Sequence, residues 1–237
     1  MVLVKISIVI PAHNEEENLS FLLEDMIRLI NENKLDCEII LVDDNSTDKT
    51  GEIIDSYKNT FSNIKTIHRK SEKKGMGFAL IEGTKKTNGK IIVWTMADRS
   101  DDLNTIPKLI QKIDNGYDMV IGSRYMKGGS RGDLSFDKAF FSSGYSTISR
   151  LIFGIPLHDI TNAFRVFRKR IFENTRLESG DFAISPEFAI KTQIKGFKLG
   201  EVPTKYFNRK LGRTKFKMLK MAIRYISLFK YRLKRIK

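Results

Sequence analysis

Apolar and polar positions alternate in blocks along the first half of the chain. Ile6-Ser7-Ile8-Val9-Ile10 is a short apolar run closed by Pro11, the pattern of a buried strand. Leu19, Leu22, Leu23, Met26, Ile27 and Ile30 then recur at helical spacing. Asn14 is placed to cap that helix. Glu15, Glu16 and Glu17 suit its first turn, where the helix dipole favours acids. Glu38-Ile39-Ile40-Leu41-Val42 predicts a second strand ending at Asp43-Asp44-Asn45-Ser46. Ile53, Ile54 and Tyr57 mark the following helix, with Ser46 or Thr47 as its cap. Further blocks predict strands at Ile64–Ile67, Ile91–Met96 and Met119–Gly122, and helices from Gly75 to about Thr87 and over Pro107–Ile113.

Strands alternating with helices predict an α/β fold, a mostly parallel sheet flanked by crossover helices. Ligands of such sheets bind beyond the carboxyl ends of the strands. The polar clusters Pro11–Asn14, Asp43–Ser46, Asp98–Asp102 and Ser123–Arg124 all fall at those ends, so they are expected to meet in one crevice. No repeat or linker precedes residue 212, so residues 1–212 read as one domain. From Arg213 the pattern changes. Phe216, Leu219, Ile223, Ile226, Phe229 and Leu233 keep helical spacing over Thr214–Ile236, interleaved with Lys217, Lys220, Arg224, Lys230 and Lys234. Residues 213–237 therefore read as a basic amphipathic helix for an anionic membrane surface, against the plainer reading of a packed helix with a solvated basic face.

Charge sharpens this division. The chain of 237 residues carries a formal net charge of +14, but thirteen Lys and Arg follow Glu201 with no acid among them. The body is nearly neutral and the basicity belongs to the C-terminal segment. That distribution argues against a nucleic-acid-binding protein and for contact with phosphate or an anionic leaflet. The single cysteine, Cys37, excludes an internal disulfide and suits a reducing, cytosolic setting. No signal-peptide pattern opens the chain, and no apolar run reaches the roughly 18 residues of a membrane span.

The candidate chemistry sits at the strand ends. Asp98, Ser100, Asp101 and Asp102 offer the hard oxygens that a divalent cation on a diphosphate prefers. The same residues could instead cap a helix beginning near Thr105. Asp43 and Asp44 can accept from a base N–H or a ribose hydroxyl, or shape a turn. Glu15 can serve the helix dipole or the donor's base. Gly75-Met76-Gly77 could cradle phosphate, or permit close approach of helix and strand.

In order along the chain, several motifs carry a resemblance. They are Val9-Ile10-Pro11-Ala12-His13-Asn14-Glu15, Val42-Asp43-Asp44-Asn45-Ser46-Thr47-Asp48, Gly75-Met76-Gly77 and Met96-Ala97-Asp98. Then come Ile121-Gly122-Ser123-Arg124-Tyr125 with Gly128-Gly129, Asp159-Ile160-Thr161-Asn162-Ala163-Phe164-Arg165, and Glu201-Val202-Pro203 leading to Arg209, Gly212 and Lys215. Together they resemble the family 2 glycosyltransferases of GT-A fold, nearest to the dolichyl- and polyprenyl-phosphate sugar synthases. The resemblance covers roughly residues 6–215.

It implies a metal-dependent, inverting transfer of a hexose from a GDP- or UDP-sugar to a polyprenyl phosphate, at the cytoplasmic face of a membrane. Asp98 and Arg124 would be the catalytic pair. Pro11, His13, Glu15, Val42, Asp44, Ala97, Asp98, Arg209 and Lys215 would bind the donor. Arg124, Lys138 and Ser142 would meet the acceptor phosphate, and Asp98 with Ser100 would bind Mg²⁺ or Mn²⁺. The chain departs from the family at Met96, where an aspartate is usual, so Ser100 or Asp101–Asp102 would have to complete the metal site. It departs also at His13 for tyrosine, Lys138 for arginine and Ala163 for glycine. A lipid phosphate is already anionic near neutral pH and requires no strong base. A hydroxyl acceptor would require one, with Asp181 and Glu187 as candidates. The alternatives are therefore a transferase acting on a glycan or other non-lipid acceptor, and an inactive nucleotide–sugar binder.

Overall fold

The computed structural model describes residues 5–208 and 218–235. Its elements follow in chain order: β1 (Ile6–Ala12), α1 (Glu16–Glu32), β2 (Cys37–Asp44), α2 (Thr50–Thr60), β3 (Ile64–Arg69), α3 (Met76–Lys85), β4 (Ile91–Trp94) and α4 (Ile106–Asp114). They continue with β5 (Met119–Ser123), α5 (Phe136–Phe153), β6 (Arg165–Arg168), α6 (Lys169–Glu173), α7 (Ile184–Ile194), β7 (Leu199–Pro203), α8 (Met218–Ser227) and α9 (Lys230–Arg235). The seven strands form one sheet in the order β3-β2-β1-β4-β6-β5-β7. All neighbours are parallel except β6, which runs antiparallel to both β4 and β5.

The strands are apolar on both faces because helices cover both. Along β1, Ile6, Ile8, Ile10 and Ala12 face a layer formed by α1, α2 and α4, while Val9 faces the other. On β4, Ile91 and Val93 point to the first layer, Ile92 and Trp94 to the second. The second layer is built from α3, α5, α7 and the C-terminal helices. This period-2 split over two buried faces is what a parallel α/β sheet requires.

Three local expectations change. Asn14 does not cap α1: its backbone is left-handed, with φ 53°, and its side chain accepts from the Thr47 amide at 2.8 Å. Neither Ser46 nor Thr47 caps α2, which begins four and three residues later. Asp48 bridges the two helix starts instead, accepting from the amides of Thr50 (3.0 Å) and Glu16 (3.2 Å). The C-terminal helix is two helices, α8 and α9. Met221, Tyr225, Leu228 and Tyr231 are the described side chains buried against the domain, where Tyr225 stacks on Phe141 and meets the Tyr145 ring at a tilt. Of the stripe expected from spacing, Leu219, Ile223 and Ile226 are exposed and Phe229 is half-buried. Phe216 lies outside the described residues, as does the side chain of Leu233.

Candidate active site

Strand order reverses between β1 and β4, and a cavity of about 740 Å³ opens there beyond the carboxyl ends of β1, β2 and β4. The loops leaving these strands each turn through a left-handed residue that is not glycine: Asn14, Asn45 and Arg99, with φ 53°, 58° and 60°. Asparagine tolerates this conformation; for Arg99 it costs roughly 1–2 kcal/mol. The Arg99 side chain is anchored by Asp25 (3.1 Å) and by the Phe21 ring, so the turn that presents Asp98 is held from outside.

The polar clusters converge as their position at strand ends predicted. Pro11, His13, Glu15, Asp44, Ala97, Asp98, Ser100, Arg124, Lys138 and Ser142 all line the cavity. Val42 does not: its side chain is fully buried in the second core layer, facing Gly83 of α3. Val42 shares a face with Asp44 but lies two residues short of the strand end, and only Asp44 reaches the opening. Arg209 and Lys215 lie outside the described residues.

The acids divide the work. Asp44 accepts from the Arg69 guanidinium and, at 2.6 Å, from the Gly75 amide, tying β2 to the start of α3 while still lining the cavity. Asp43 turns away, taking the Ser46 amide at 2.9 Å and the His68 ring at 3.3 Å. Asp102 caps a short 3₁₀ turn at Leu103–Thr105. Asp101 is buried and accepts from Thr95 Oγ1 and the Met96 amide, both at 2.9 Å. Burial, with the Asp98 charge adding to it, pushes its carboxyl up to about 7 against those hydrogen bonds and Arg124. Asp98 is half-buried, and one of its oxygens accepts from the Ser100 amide at 3.1 Å.

Arg124 lines the same cavity. Its guanidinium makes a two-pronged pair with the buried Asp159 (2.7 and 2.9 Å) and donates to Thr161 Oγ1 at 3.0 Å. Burial alone would lower its pKa, but the Asp159 carboxylate outweighs burial and raises it. Arg124 thus stays cationic in a largely enclosed place. Lys138 and Ser142 enter from α5. The Ser142 hydroxyl donates to the Lys138 carbonyl (2.8 Å) and bonds Tyr125 Oη.

Of the two candidate bases, only Asp181 reaches the cavity, where Arg224 of α8 pairs with it at 3.3 Å. Glu187 is completely buried and structural. It accepts from the amides of Glu178 (3.0 Å) and Ser179 (2.8 Å) and pairs with Lys191. Sequence reasoning missed Lys74, Met76, Tyr206, Lys220, Met221 and Tyr225 as lining residues. Apart from Met76, none lies in a motif singled out at a strand end, and only the crossing of distant segments brings them to one opening.

The glycines of Gly75-Met76-Gly77 serve close approach rather than a phosphate cradle. The Gly180 carbonyl accepts from the Gly77 amide at 2.9 Å, occupying the start of α3. A Cβ at Gly77 would stand 2.3 Å from the Ser179 oxygen. Gly77→Ala is therefore expected to destabilise the fold by about 1–3 kcal/mol and to displace the loop bearing Asp181. A thermal melt checks the first effect. An unchanged melting temperature would contradict it.

Residues 7–176 match Glycosyl transferase family 2. The chain is 35% identical over 217 residues to a dolichol-phosphate mannosyltransferase from Pyrococcus furiosus, covering 90% of this chain and 59% of that one. It is 28% identical over 214 residues to a polyprenol monophosphomannose synthase from Mycolicibacterium smegmatis, covering 88% and 79%. The chain therefore spans well under two thirds of the Pyrococcus relative's length. Among solved structures, glucosyl-3-phosphoglycerate synthase from Mycobacterium tuberculosis, in complex with Mn²⁺, UDP-glucose and phosphoglyceric acid, superposes with a TM-score of 0.74. That match covers 96% of this chain and 79% of the other at 17% identity, which speaks to the fold alone. The architecture is the GT-A fold, and the chain belongs to Glycosyl transferase family 2.

Proposed function

We propose that this protein transfers a hexose from a nucleotide–sugar to a polyprenyl phosphate at a membrane surface, with inversion and with a divalent metal. The observation that carries the reading is one cavity that holds both kinds of charge. The strand-end carboxylates Asp98 and Asp101 line it together with the cations Lys74, Arg124, Lys138 and Lys220. The names of the two curated relatives support the lipid-phosphate acceptor and mannose as the sugar. The solved neighbour's bound UDP-glucose and Mn²⁺ suit a metal-held nucleotide–sugar.

The donor set fits a hard cation. Asp98 has one oxygen that receives no hydrogen bond from the described residues, and Ser100 lines the same wall. No group of three or more His, Cys, Asp or Glu able to hold a metal occurs among the described residues. Mg²⁺ on a diphosphate does not require one, because it takes one or two carboxylates and fills its octahedron with phosphate oxygens and water. Bound there, the ion would neutralise charge growing on the leaving diphosphate.

This chain's residues would do the rest. Pro11, His13, Glu15, Asp44 and Ala97 border the nucleoside end. Arg124 and Lys138 hold the acceptor phosphate in line with the anomeric carbon. A phosphate oxygen is anionic at neutral pH, so the work is alignment and charge neutralisation rather than proton removal. The pairing of Asp181 with Arg224 suits that division, since it leaves Asp181 as a salt-bridge partner. Arg209 and Lys215 join the donor phosphates in this reading. A thermal-shift panel of GDP- and UDP-sugars with Mn²⁺ tests the donor half. One sugar nucleotide is expected to raise the melting temperature, and no response to any of them would overturn it.

The membrane half rests on surface chemistry. Phe136 and Phe140 on α5 are 75% and 70% exposed, and Leu219, Ile223 and Ile226 on α8 are 80%, 65% and 62% exposed. The same two helices line the cavity through Lys138, Phe141, Ser142, Lys220, Met221 and Tyr225. An apolar rim with interleaved Lys220 and Arg224 suits an anionic leaflet, and it would bring a lipid headgroup to the opening. No helix among the described residues is long and apolar enough to cross a membrane. In this reading the attachment is peripheral, through that rim, on the cytoplasmic face. Ile223→Ser with Ile226→Ser leaves the buried stripe of α8 intact. It is expected to reduce flotation with anionic liposomes by roughly tenfold or more. Equal flotation of both forms would contradict the membrane claim.

A further inference from the structure

Asp101 is more than a strut for the end of β4. It is only 8% exposed and it lines the cavity. Both of its hydrogen bonds, from Thr95 Oγ1 and the Met96 amide, go to one oxygen, Oδ2. Holding the strand end needs no more than that. The second oxygen takes no hydrogen bond from the described residues, and it is not among their sealed, orphaned polar atoms. It therefore opens to the cavity. Asp98 and Arg124 are among the charged groups acting on this carboxylate, and all three line the same cavity.

Two carboxylates close together in an enclosed site repel, and either a proton or a shared cation relieves that repulsion. Met96 also lines the cavity, two residues before Asp98, but it offers only a soft thioether, a poor partner for Mg²⁺. Asp102 is committed to its own turn, accepting from the Asn104 amide at 3.2 Å. Among the described residues, the hard oxygens left on this wall belong to Asp98, Ser100 and Asp101.

We propose that Asp101 supplies the second carboxylate of the divalent-metal site opened by Asp98. The inference rests on the metal-dependent reading above. One carboxylate would thus do two jobs, fixing the strand end through Oδ2 and meeting the ion's shell through Oδ1.

The test is a titration of the full chain with Mn²⁺ alone, followed by loss of the free-ion EPR signal. Asp101→Asn keeps a carbonyl oxygen for Thr95 and Met96 and removes the anionic charge. It is expected to weaken Mn²⁺ binding roughly tenfold or more, with Asp98→Asn losing it altogether. Met96→Asp added to Asp101→Asn places a carboxylate on the same wall and is expected to restore the affinity to within about threefold of wild type. Wild-type affinity in Asp101→Asn, alongside loss in Asp98→Asn, would overturn the inference and leave the metal-dependent reading standing. Equal binding by wild type and Asp98→Asn would overturn both. Should Asp101→Asn not fold, ENDOR of Mn²⁺ on wild-type protein labelled with ¹³C in its aspartate carboxyls decides the matter. Couplings from two carboxylates support the inference, and coupling from one overturns it.

Discussion

Asp98→Ala is expected to lower the transfer rate by about a hundredfold to a thousandfold with little effect on stability. The side chain is half-buried at the cavity, and its one hydrogen bond, from the Ser100 amide, is local. Removing it leaves the β4 end fixed, because Thr95 and Met96 are held by Asp101. What is lost is the oxygen that would meet the donor's metal. Chelation of divalent ions should reproduce the loss in wild type and add nothing in the variant. Steady-state rates with and without chelator, together with a thermal melt, check this. A variant retaining most of its activity would remove Asp98 from the chemistry.

Asp159→Asn is expected to damage both stability and turnover. Asp159 is wholly buried and receives the Arg124 backbone amide as well as two guanidinium bonds. Removing its charge leaves the Arg124 cation unanswered in an enclosed site, which costs about 3–5 kcal/mol. Arg124 would also lose its fixed orientation in the cavity, so under the proposed mechanism kcat should fall more than the donor's KM rises. Arg124→Lys keeps the charge but not the paired geometry, and should fall between wild type and Asp159→Asn. Chemical denaturation and kinetics on the three proteins test this order. Equal stability of Asp159→Asn and wild type would sink the argument.

The first five strands were legible as short apolar runs, most of them ending at polar clusters, and the first four helices by the 3.6-residue spacing of their apolar positions or by their flanking turn signals. β6 was not, because its four residues begin and end with arginine. Arg165 is nonetheless fully buried. It donates to the carbonyls of Ala163 (3.3 Å) and Ser185 (2.9 Å), and burial pushes its pKa down to about 9. A charge satisfied by backbone carbonyls, from the preceding turn and from Ser185, leaves no side-chain partner to read in the sequence. α5 was hidden for the opposite reason. Phe136, Phe140 and Leu151 face outward, so its apolar positions fit no single core-facing stripe. β7 interrupts its apolar run with Gly200 and Glu201.

The site was legible at its strand ends and blurred elsewhere. Alternation along β2 decides that Asp44 reaches the cavity while Asp43 binds His68, and the sequence alone shows only two adjacent acids. The ordered motifs located Arg124 and the segment from Asp159, but their pairing spans 35 residues and required the fold. α8 supplies a cavity wall through the face opposite to the stripe that spacing picked out. Both faces of that helix are apolar, one toward the domain and one outward.

The most direct measurement of the central claim is transfer itself. Purified protein is incubated with Mn²⁺, a polyprenyl phosphate and radiolabelled GDP-mannose or UDP-glucose, and the mixture is extracted into organic solvent. Label is expected in the organic phase with one of the donors, dependent on the lipid phosphate and absent with Asp98→Ala. Label that stays in the aqueous phase with every donor would contradict the account.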